Sequence, residues 1–204
     1  MEADWSVALS AEEPRIVVPW AAPEEDSRKC RFIDLRLQPD LVDTIEEARS
    51  GPLRAALLRL NDSSSHFWTA KCDAWTSAEN AIDPYEMDAE PGEAVFGAGS
   101  YIDLLACDIA VRSSFPRQER WMRLVTERLR AIPTNSARAE LVLRAAEVDG
   151  VPGFGVTWFL EGCGETAQRA EQHWGHALGI ALAVLLETAF GSGPGDYTMA
   201  VTGE

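Results

Sequence analysis

The sequence has few basic residues and no long apolar run. Its 18 lysines and arginines stand against 33 aspartates and glutamates, which gives a formal net charge of −15 at pH 7. Nucleic acids and anionic membrane surfaces both require a basic patch on the protein, so this balance argues against either partner. The longest apolar stretch, residues 177–186, is far shorter than the roughly 20 residues of a membrane-spanning helix. We therefore expect a globular protein without a membrane span.

Cysteines are also few, and they do not form metal or redox motifs. Cys30, Cys72, Cys107 and Cys163 stand far apart, with no C-x-x-C pair among them. This spacing favours reduced thiols in a reducing compartment over disulfide bonds or a zinc site. The N-terminus is acidic and lacks the basic start and the apolar stretch of a signal peptide. The sequence thus predicts a cytoplasmic protein that binds neither a cofactor nor a metal.

The acidic residues are concentrated in two stretches. Residues 1–26 hold seven acids and one arginine, whereas residues 79–93 hold six acids and no base. Because such runs are typical of solvated segments, we predict an acidic N-terminal arm over 1–26 and a solvated loop over 79–93. Residues 27–190 are expected to form a single α+β domain, since neither a repeat nor a second core is visible. The glycine-rich residues that follow predict a flexible C-terminal tail over 191–204.

Hydrophobic periodicity predicts five strands and three helices within the domain. Alternating or aromatic-rich patterns indicate strands over 30–37, 66–75, 96–107, 137–148 and 154–160. Apolar residues at helical spacing indicate helices over 41–60, 113–132 and 165–190, the first of them interrupted at Gly51-Pro52. Residues 149–153 carry the turn chemistry of a hairpin between the last two strands.

The resulting order, β-α-β-β-α-β-β-α, resembles a ferredoxin-like α/β sandwich in its first six elements. The resemblance implies a two-layer α+β sandwich with a mainly antiparallel sheet, extended by a fifth strand and a C-terminal helix. In such a fold the helices cover one face of the sheet and leave the other to water or a partner.

The alternation of side chains along the predicted strands places charged and aromatic residues together on the sheet face opposite the helices. A solvated face does not need large rings, and contiguous exposed rings usually mark an interface or a binding groove. We expect a sheet-to-sheet homodimer, which could enclose a small-molecule ligand. The alternative is a wet surface with cross-strand ion pairs. The candidate residues are Phe32, Asp34, Arg36, Lys71, Asp73, Trp75, Tyr101, Asp103, Glu140, Arg144, Thr157, Phe159 and Glu161.

A second candidate lies in the segment Gly162-Cys163-Gly164-Glu165-Thr166-Ala167, which follows a predicted strand and opens a helix. The Cys163 thiol is a candidate reactive group, because a helix N-terminus can lower a cysteine pKa, with His66 or His173 as a base. The glycines formally match G-x-G-x-x-A, but the flanking glutamates would repel a pyrophosphate. A tight strand-to-helix turn is therefore the expected role of these glycines.

The last predicted helix carries two further signals. His173 and His176 lie off its apolar stripe, which favours histidines facing solvent or a partner over a metal site. Residues 177–186 are apolar on every side, so this helix is expected to be buried all round. Ile180 and Val184 would then meet either another subunit or the apolar residues of the N-terminal arm, Ile16, Val17, Val18 and Trp20.

These features together predict a self-associating binding or assembly module without catalytic activity. The alternative is an enzyme or ligand-binding protein with its pocket on the open sheet face. The acid or base of such an enzyme would be Asp34, Asp103 or Glu161. The group that holds an anionic substrate would be Arg36, Lys71 or Arg144. A carboxylate with a shifted pKa beside a cavity would favour the enzyme, whereas exposed ion pairs would favour the binding module.

Overall fold

A computed structural model shows helices packed on one mixed sheet of six strands, which places the protein in the α+β class. The structure describes residues 1–20, 32–49, 51–77, 83–90, 92–134, 136–188 and 190. The strands are β1 (Glu2–Ala8), β2 (Ile16–Val18), β3 (Phe67–Ser77), β4 (Phe96–Ala106), β5 (Ala137–Val148) and β6 (Val151–Gly164). The α-helices are α1 (Gly51–Leu60), α2 (Ile109–Arg112), α3 (Phe115–Arg130) and α4 (Ala167–Glu187). Short 3-10 helices span Pro39–Thr44, Glu47–Arg49 and Pro84–Met87.

The sheet order is β1-β5-β6-β4-β3, with β2 beside the end of β5. The pairs β3–β4, β4–β6 and β5–β6 are antiparallel, whereas β1 and β2 both run parallel to β5. A two-residue turn joins β5 to β6, in which Asp149 and Gly150 have φ of 51° and 79°. Positive φ at both positions is what a type I′ hairpin turn requires. The hairpin predicted from residues 149–153 is therefore confirmed.

The helices α1, α3 and α4 cover one face of the sheet. α4 packs on β4, β5 and β6 and has α1 and α3 as neighbours, and the main core lies between these helices and the sheet. This position explains the charge-free run in α4, because the helix contacts the sheet below and another helix at each side. Among the described residues, no helix is long and apolar enough to cross a membrane.

The prediction of a solvated N-terminal arm over 1–26 is wrong for residues 1–20. β1 and β2 belong to the sheet, and Ile16 and Val18 are only 3% and 4% exposed. They pack in a second, smaller core on the sheet face opposite the helices, together with Trp68 and Leu105. The apolar arm residues therefore do not meet Ile180 and Val184, which pack against the main core. Residues 21–26 and the tail over 191–204 lie outside the described residues.

The strand predicted over 30–37 is wrong for residues 32–37, which form coil and a turn. The Asp34 carboxylate accepts the backbone N–H of Arg36 at 3.1 Å, and the Asp34 carbonyl accepts the N–H groups of Leu37 and Gln38. Such local bonds compete with sheet pairing. This segment opened the predicted β-α-β-β-α-β order, so the ferredoxin-like topology is not confirmed. Residues 30 and 31 lie outside the described part of the chain.

The other predicted elements are found with small shifts. Strands predicted over 66–75, 96–107, 137–148 and 154–160 correspond to β3, β4, β5 and β6, and the two later helices to α3 and α4. The helical pattern over 41–60 resolves into two 3-10 helices followed by α1, which begins at the expected break at Gly51.

Candidate functional site

The sheet face opposite the helices carries most of the candidate residues in rows that cross the strands. Cross-strand pairing aligns one side chain from each of the five main strands into a row that we call the open row. Neighbouring strands lie about 4.8 Å apart, so this row extends over roughly 19 Å. From β1 to β3 the open row consists of Asp4, Glu140, Phe159, Tyr101 and Asp73.

An aromatic pair forms the centre of the open row. The rings of Tyr101 and Phe159 lie 5.9 Å apart at an interplanar angle of 47°, and both side chains are half-buried. Carboxylates flank them: the side chains of Glu140 and Asp4 are 34% and 63% exposed, and Asp73 is exposed. Burial, followed by the negative charges of Asp103 and Asp73, raises the pKa of Tyr101, so its phenol stays neutral. The open row thus combines accessible aromatic surface with three carboxylates.

One border of the open row is formed by Trp75, Gly99, Glu161 and Arg138. The indole of Trp75 lies over Gly99, where a Cβ atom would stand 2.7 Å from the ring. Burial raises the pKa of Glu161, although the charge of Arg138 opposes this shift. Arg138 also pairs with Glu86 at 2.6 Å.

That ion pair ties the predicted acidic loop to the sheet. Glu86 belongs to the helix Pro84–Met87, and Met87 is only 5% exposed. The five described acids of the predicted loop are all exposed, as a solvated segment requires: Asp83, Glu86, Asp88, Glu90 and Glu93. The segment is nevertheless attached to the sheet by the Glu86–Arg138 pair and by the buried Met87, which the prediction did not include. Residues 79–82 and 91 lie outside the described residues.

The other border is a hydrogen-bonded chain of three side chains. Nε of Arg144 donates to Oγ1 of Thr157 at 2.9 Å, and that hydroxyl donates to Oδ1 of Asp103 at 2.6 Å. Burial raises the pKa of Asp103, while the bond from Thr157 and the charges of Arg144 and Lys71 act in the opposite direction. The Arg144 side chain is 13% exposed and lies 3.8 Å from Glu13, between β1 and β2. This network therefore joins the N-terminal segment to the sheet.

Beyond this border the chain covers its own sheet face. The Arg36 guanidinium lies 3.9 Å above the Trp68 ring and bonds to Asp34 at 2.9 and 2.7 Å, which lowers the pKa of Asp34. Phe32 meets Trp68 edge-on at a centroid distance of 6.2 Å. The candidates Phe32, Asp34 and Arg36 are thus part of a cover and do not line the open row.

Lys71 is exposed where the β3–β4 register shifts, and its Nζ lies 5.9 Å from the centre of the Trp20 ring. Sequence reasoning missed Asp4 and Glu13, because the first 26 residues were expected to be solvated. The signal was present in β1, where Ala3 and Trp5 alternate with exposed Glu2 and Asp4.

The structure argues against a reactive Cys163. Its thiol is fully buried in β6, and this burial raises the thiol pKa. Helix α4 starts only after Thr166, whose hydroxyl accepts the N–H of Arg169 at 3.2 Å. Nδ1 of His173 lies 2.7 Å from the Cys163 carbonyl and donates to it. His66 precedes β3, at the opposite end of the sheet.

The two glycines beside Cys163 have a packing role. A Cβ atom at Gly164 would lie 2.7 Å from the backbone nitrogen of Ala170, and one at Gly162 would be closer still to that of Trp174. Both glycines belong to β6, so they allow α4 to approach the sheet closely. Neither faces a space for a pyrophosphate.

Within the described ranges, no three histidine, cysteine or acidic side chains are arranged to hold a metal ion. His176 is exposed, as predicted from the helix geometry. A cavity of about 560 Å³ lies between the ends of α1 and α4, on the helix side of the sheet. It is lined by Leu58, Arg59, Asp62, Ser64, Ser65, His66 and Leu186.

No family model, no curated protein and no solved structure matches this chain. The functional argument therefore depends on the geometry of the open row.

Proposed function

We propose that this protein is a binding module without catalytic activity, and that the open row is its interaction surface. One observation carries the proposal: Tyr101 and Phe159 keep accessible ring surface between carboxylates on a face that the chain otherwise covers. Exposed apolar surface costs about 25 cal/mol per Å², so polar residues at these two positions would suit an unoccupied surface better. A partner that covers the rings removes this cost.

A cytoplasmic location belongs to the same proposal, and self-association is one of two ways to occupy the open row, a different polypeptide being the other. A second copy could cover the open row, as expected for a homodimer. Among the described residues, Cys72, Cys107 and Cys163 form no disulfide with one another, which is consistent with the proposed reducing compartment. Burial raises the pKa of Cys72 to about 12, which makes this thiol unreactive at neutral pH.

Asp103 favours one alternative, an enzyme on the same sheet face. It is partly buried with a raised pKa, as a general acid or base would be. However, the Thr157 hydroxyl already donates to the Asp103 carboxylate and accepts a hydrogen bond from Arg144. The Arg144 guanidinium is therefore already hydrogen-bonded within the fold. Asp34 and Arg36 are likewise paired with each other. The arrangement supports binding better than catalysis.

Native mass spectrometry of the protein purified from its source cells tests the proposed function. Wild type is compared with Tyr101→Ala/Phe159→Ala and with Leu124→Ala, a control at a side chain that is 41% exposed on α3, on the helix side of the sheet. We expect a second copy or another polypeptide on wild type and control, and its loss from the double variant. A bare monomer in all three samples, or the same complex in all three, would contradict the proposal. A retained small molecule that is lost in Asp103→Asn would favour the enzyme.

A further inference from the structure

The charges along the open row have one sign. Its three charged members, Asp4, Glu140 and Asp73, are carboxylates, and no base stands in the row. The arginines on its two borders are already engaged: Arg138 pairs with Glu86 at 2.6 Å and lies 3.9 Å from Glu140, and Arg144 bonds to Thr157 at 2.9 Å. Arg130 lies 3.4 Å from Asp4, so Asp73 is the carboxylate of the row that has no ion pair with a described residue. The surface therefore attracts positive charge and repels a second acidic surface. A second copy of this chain would bring the same carboxylates against the row.

The aromatic pair narrows the choice among cations. A cation over the face of Tyr101 or Phe159 is attracted by the ring electrons, and a neighbouring carboxylate strengthens the contact. The planar guanidinium of arginine can stack on the ring while it donates two hydrogen bonds to a carboxylate. A lysine ammonium is more strongly hydrated and does not stack. The combination of rings and carboxylates thus fits arginine best.

The same sheet face already contains this arrangement within the chain. On its covered half, the Arg36 guanidinium lies 3.9 Å above the Trp68 ring, while its Nε and Nη2 donate to the Asp34 carboxylate at 2.9 and 2.7 Å. The open row offers equivalent rings and carboxylates, and no described arginine lies over Tyr101 or Phe159.

We infer that the open row binds a protein segment that carries arginine side chains, with each guanidinium stacked on Tyr101 or Phe159 and paired to Asp73 or Glu140. This inference rests on the proposed function and names its partner class. The two carboxylates stand three strand spacings apart, about 14 Å. Two arginines separated by four positions in an extended segment span about 13 Å and project from the same side. Such a pair reaches both carboxylates.

A titration with short peptides tests the inference. The probes are acetylated and amidated Arg-Gly-Ser-Gly-Arg and Lys-Gly-Ser-Gly-Lys, titrated at physiological salt and followed by NMR. We expect the arginine peptide to bind about threefold more tightly than the lysine peptide, the size of an exposed cation–ring contact. Asp73→Asn/Glu140→Gln should weaken binding about tenfold by removing both charged acceptors.

Three variants provide the controls. Glu127→Gln/Glu171→Gln removes two exposed acids from the helix side and should leave the affinity unchanged. Tyr101→Ala/Phe159→Ala should remove the preference for arginine. Tyr101→Leu/Phe159→Leu keeps apolar contacts in the sheet and should remove the same preference if the alanine variant does not fold.

Each of the following results would overturn the inference. Equal affinity for the arginine and lysine peptides would show that only the net charge of −15 matters, as would an equal loss in the helix-side control. A dimer that Tyr101→Ala/Phe159→Ala dissociates, without peptide binding, would make a second copy the occupant. That outcome would overturn the arginine inference while supporting the proposed function, whereas the absence of both would contradict both.

Discussion

At the scale of single residues, the contact between β6 and α4 depends on Gly162 and Gly164. A Cβ atom at Gly164 would stand 2.7 Å from a backbone atom of α4, which cannot move without shifting the helix. The same helix contains Gly179, where a Cβ atom would have no neighbour within 4 Å. These positions provide a matched test of close packing.

We predict that Gly164→Ala lowers the free energy of unfolding by about 1–3 kcal/mol, because the added methyl overpacks the joint between sheet and helix. Gly179→Ala should raise it by up to about 1 kcal/mol, since alanine is the better helix former at an exposed position. Urea denaturation measures both changes. A Gly164→Ala protein as stable as wild type would show that α4 does not lie this close to β6.

We expect the free energy of unfolding to depend on pH through the titration of Asp103. Because burial raises the pKa of Asp103 in the folded protein, its contribution is complete below the unfolded pKa and is lost as pH rises through the folded pKa. Asp103→Asn does not titrate at this position, so wild type should lose stability relative to this variant as pH rises above about 4, the ordinary pKa of an aspartate. Urea denaturation across this range measures the difference.

The control for this pH dependence is Asp62→Asn. The hydroxyl and N–H of Ser64 lower the pKa of Asp62, so wild type should gain stability relative to this variant as pH rises. Parallel pH profiles for wild type and Asp103→Asn would contradict the burial of Asp103.

At the scale of elements, β2 was not predicted, because it lies in a segment rich in acidic residues. Ile16 is 3% exposed and Val17 is 45% exposed, although both lie in the segment predicted to be a solvated arm. Ile16→Ala should destabilise the protein by about 2–4 kcal/mol through the cavity it leaves. Val17→Ala should change stability by less than about 0.5 kcal/mol. Thermal and urea unfolding measure both, and equal effects would mean that β2 does not pack on the sheet.

Local hydrophobic periodicity was sufficient to predict the strands and helices whose buried side chains follow a regular spacing. β5 carries buried Ala139, Leu141 and Leu143 at every second position, and α3 repeats Trp121, Val125 and Leu129 at helical spacing. The same alternation predicted that Tyr101 and Phe159 share a face away from the helices. These features depend on neighbouring residues alone and could be predicted.

Most of the missed features depend on distant contacts, and one depends on a local turn that competes with the strand pattern. Residues 1–20 are acidic, yet β1 and β2 are stabilised by pairing with β5, more than 100 residues later in the chain. Residues 32–37 alternate like a strand, but Asp34 bonds to Arg36 and forms a local turn. The rings of the open row are half-buried rather than fully exposed because nearby segments border them. No local pattern contains this information.

At the scale of the whole molecule, the two faces of the sheet differ in what covers them. Helices cover one face completely, whereas on the other face the N-terminal segment covers one half and the helix Pro84–Met87 is tied to the opposite border. Between them the open row keeps two rings and three carboxylates accessible. We interpret this row as the surface through which the molecule acts.

Photo-crosslinking in living source cells tests this claim most directly. A benzophenone amino acid replaces Phe159 in the open row or, as the control, Leu124, which is exposed on α3 on the helix side of the sheet. The account predicts one dominant crosslinked polypeptide from position 159, identified by mass spectrometry, and none from position 124. If position 159 gives no more product than position 124, the open row is not an interaction surface.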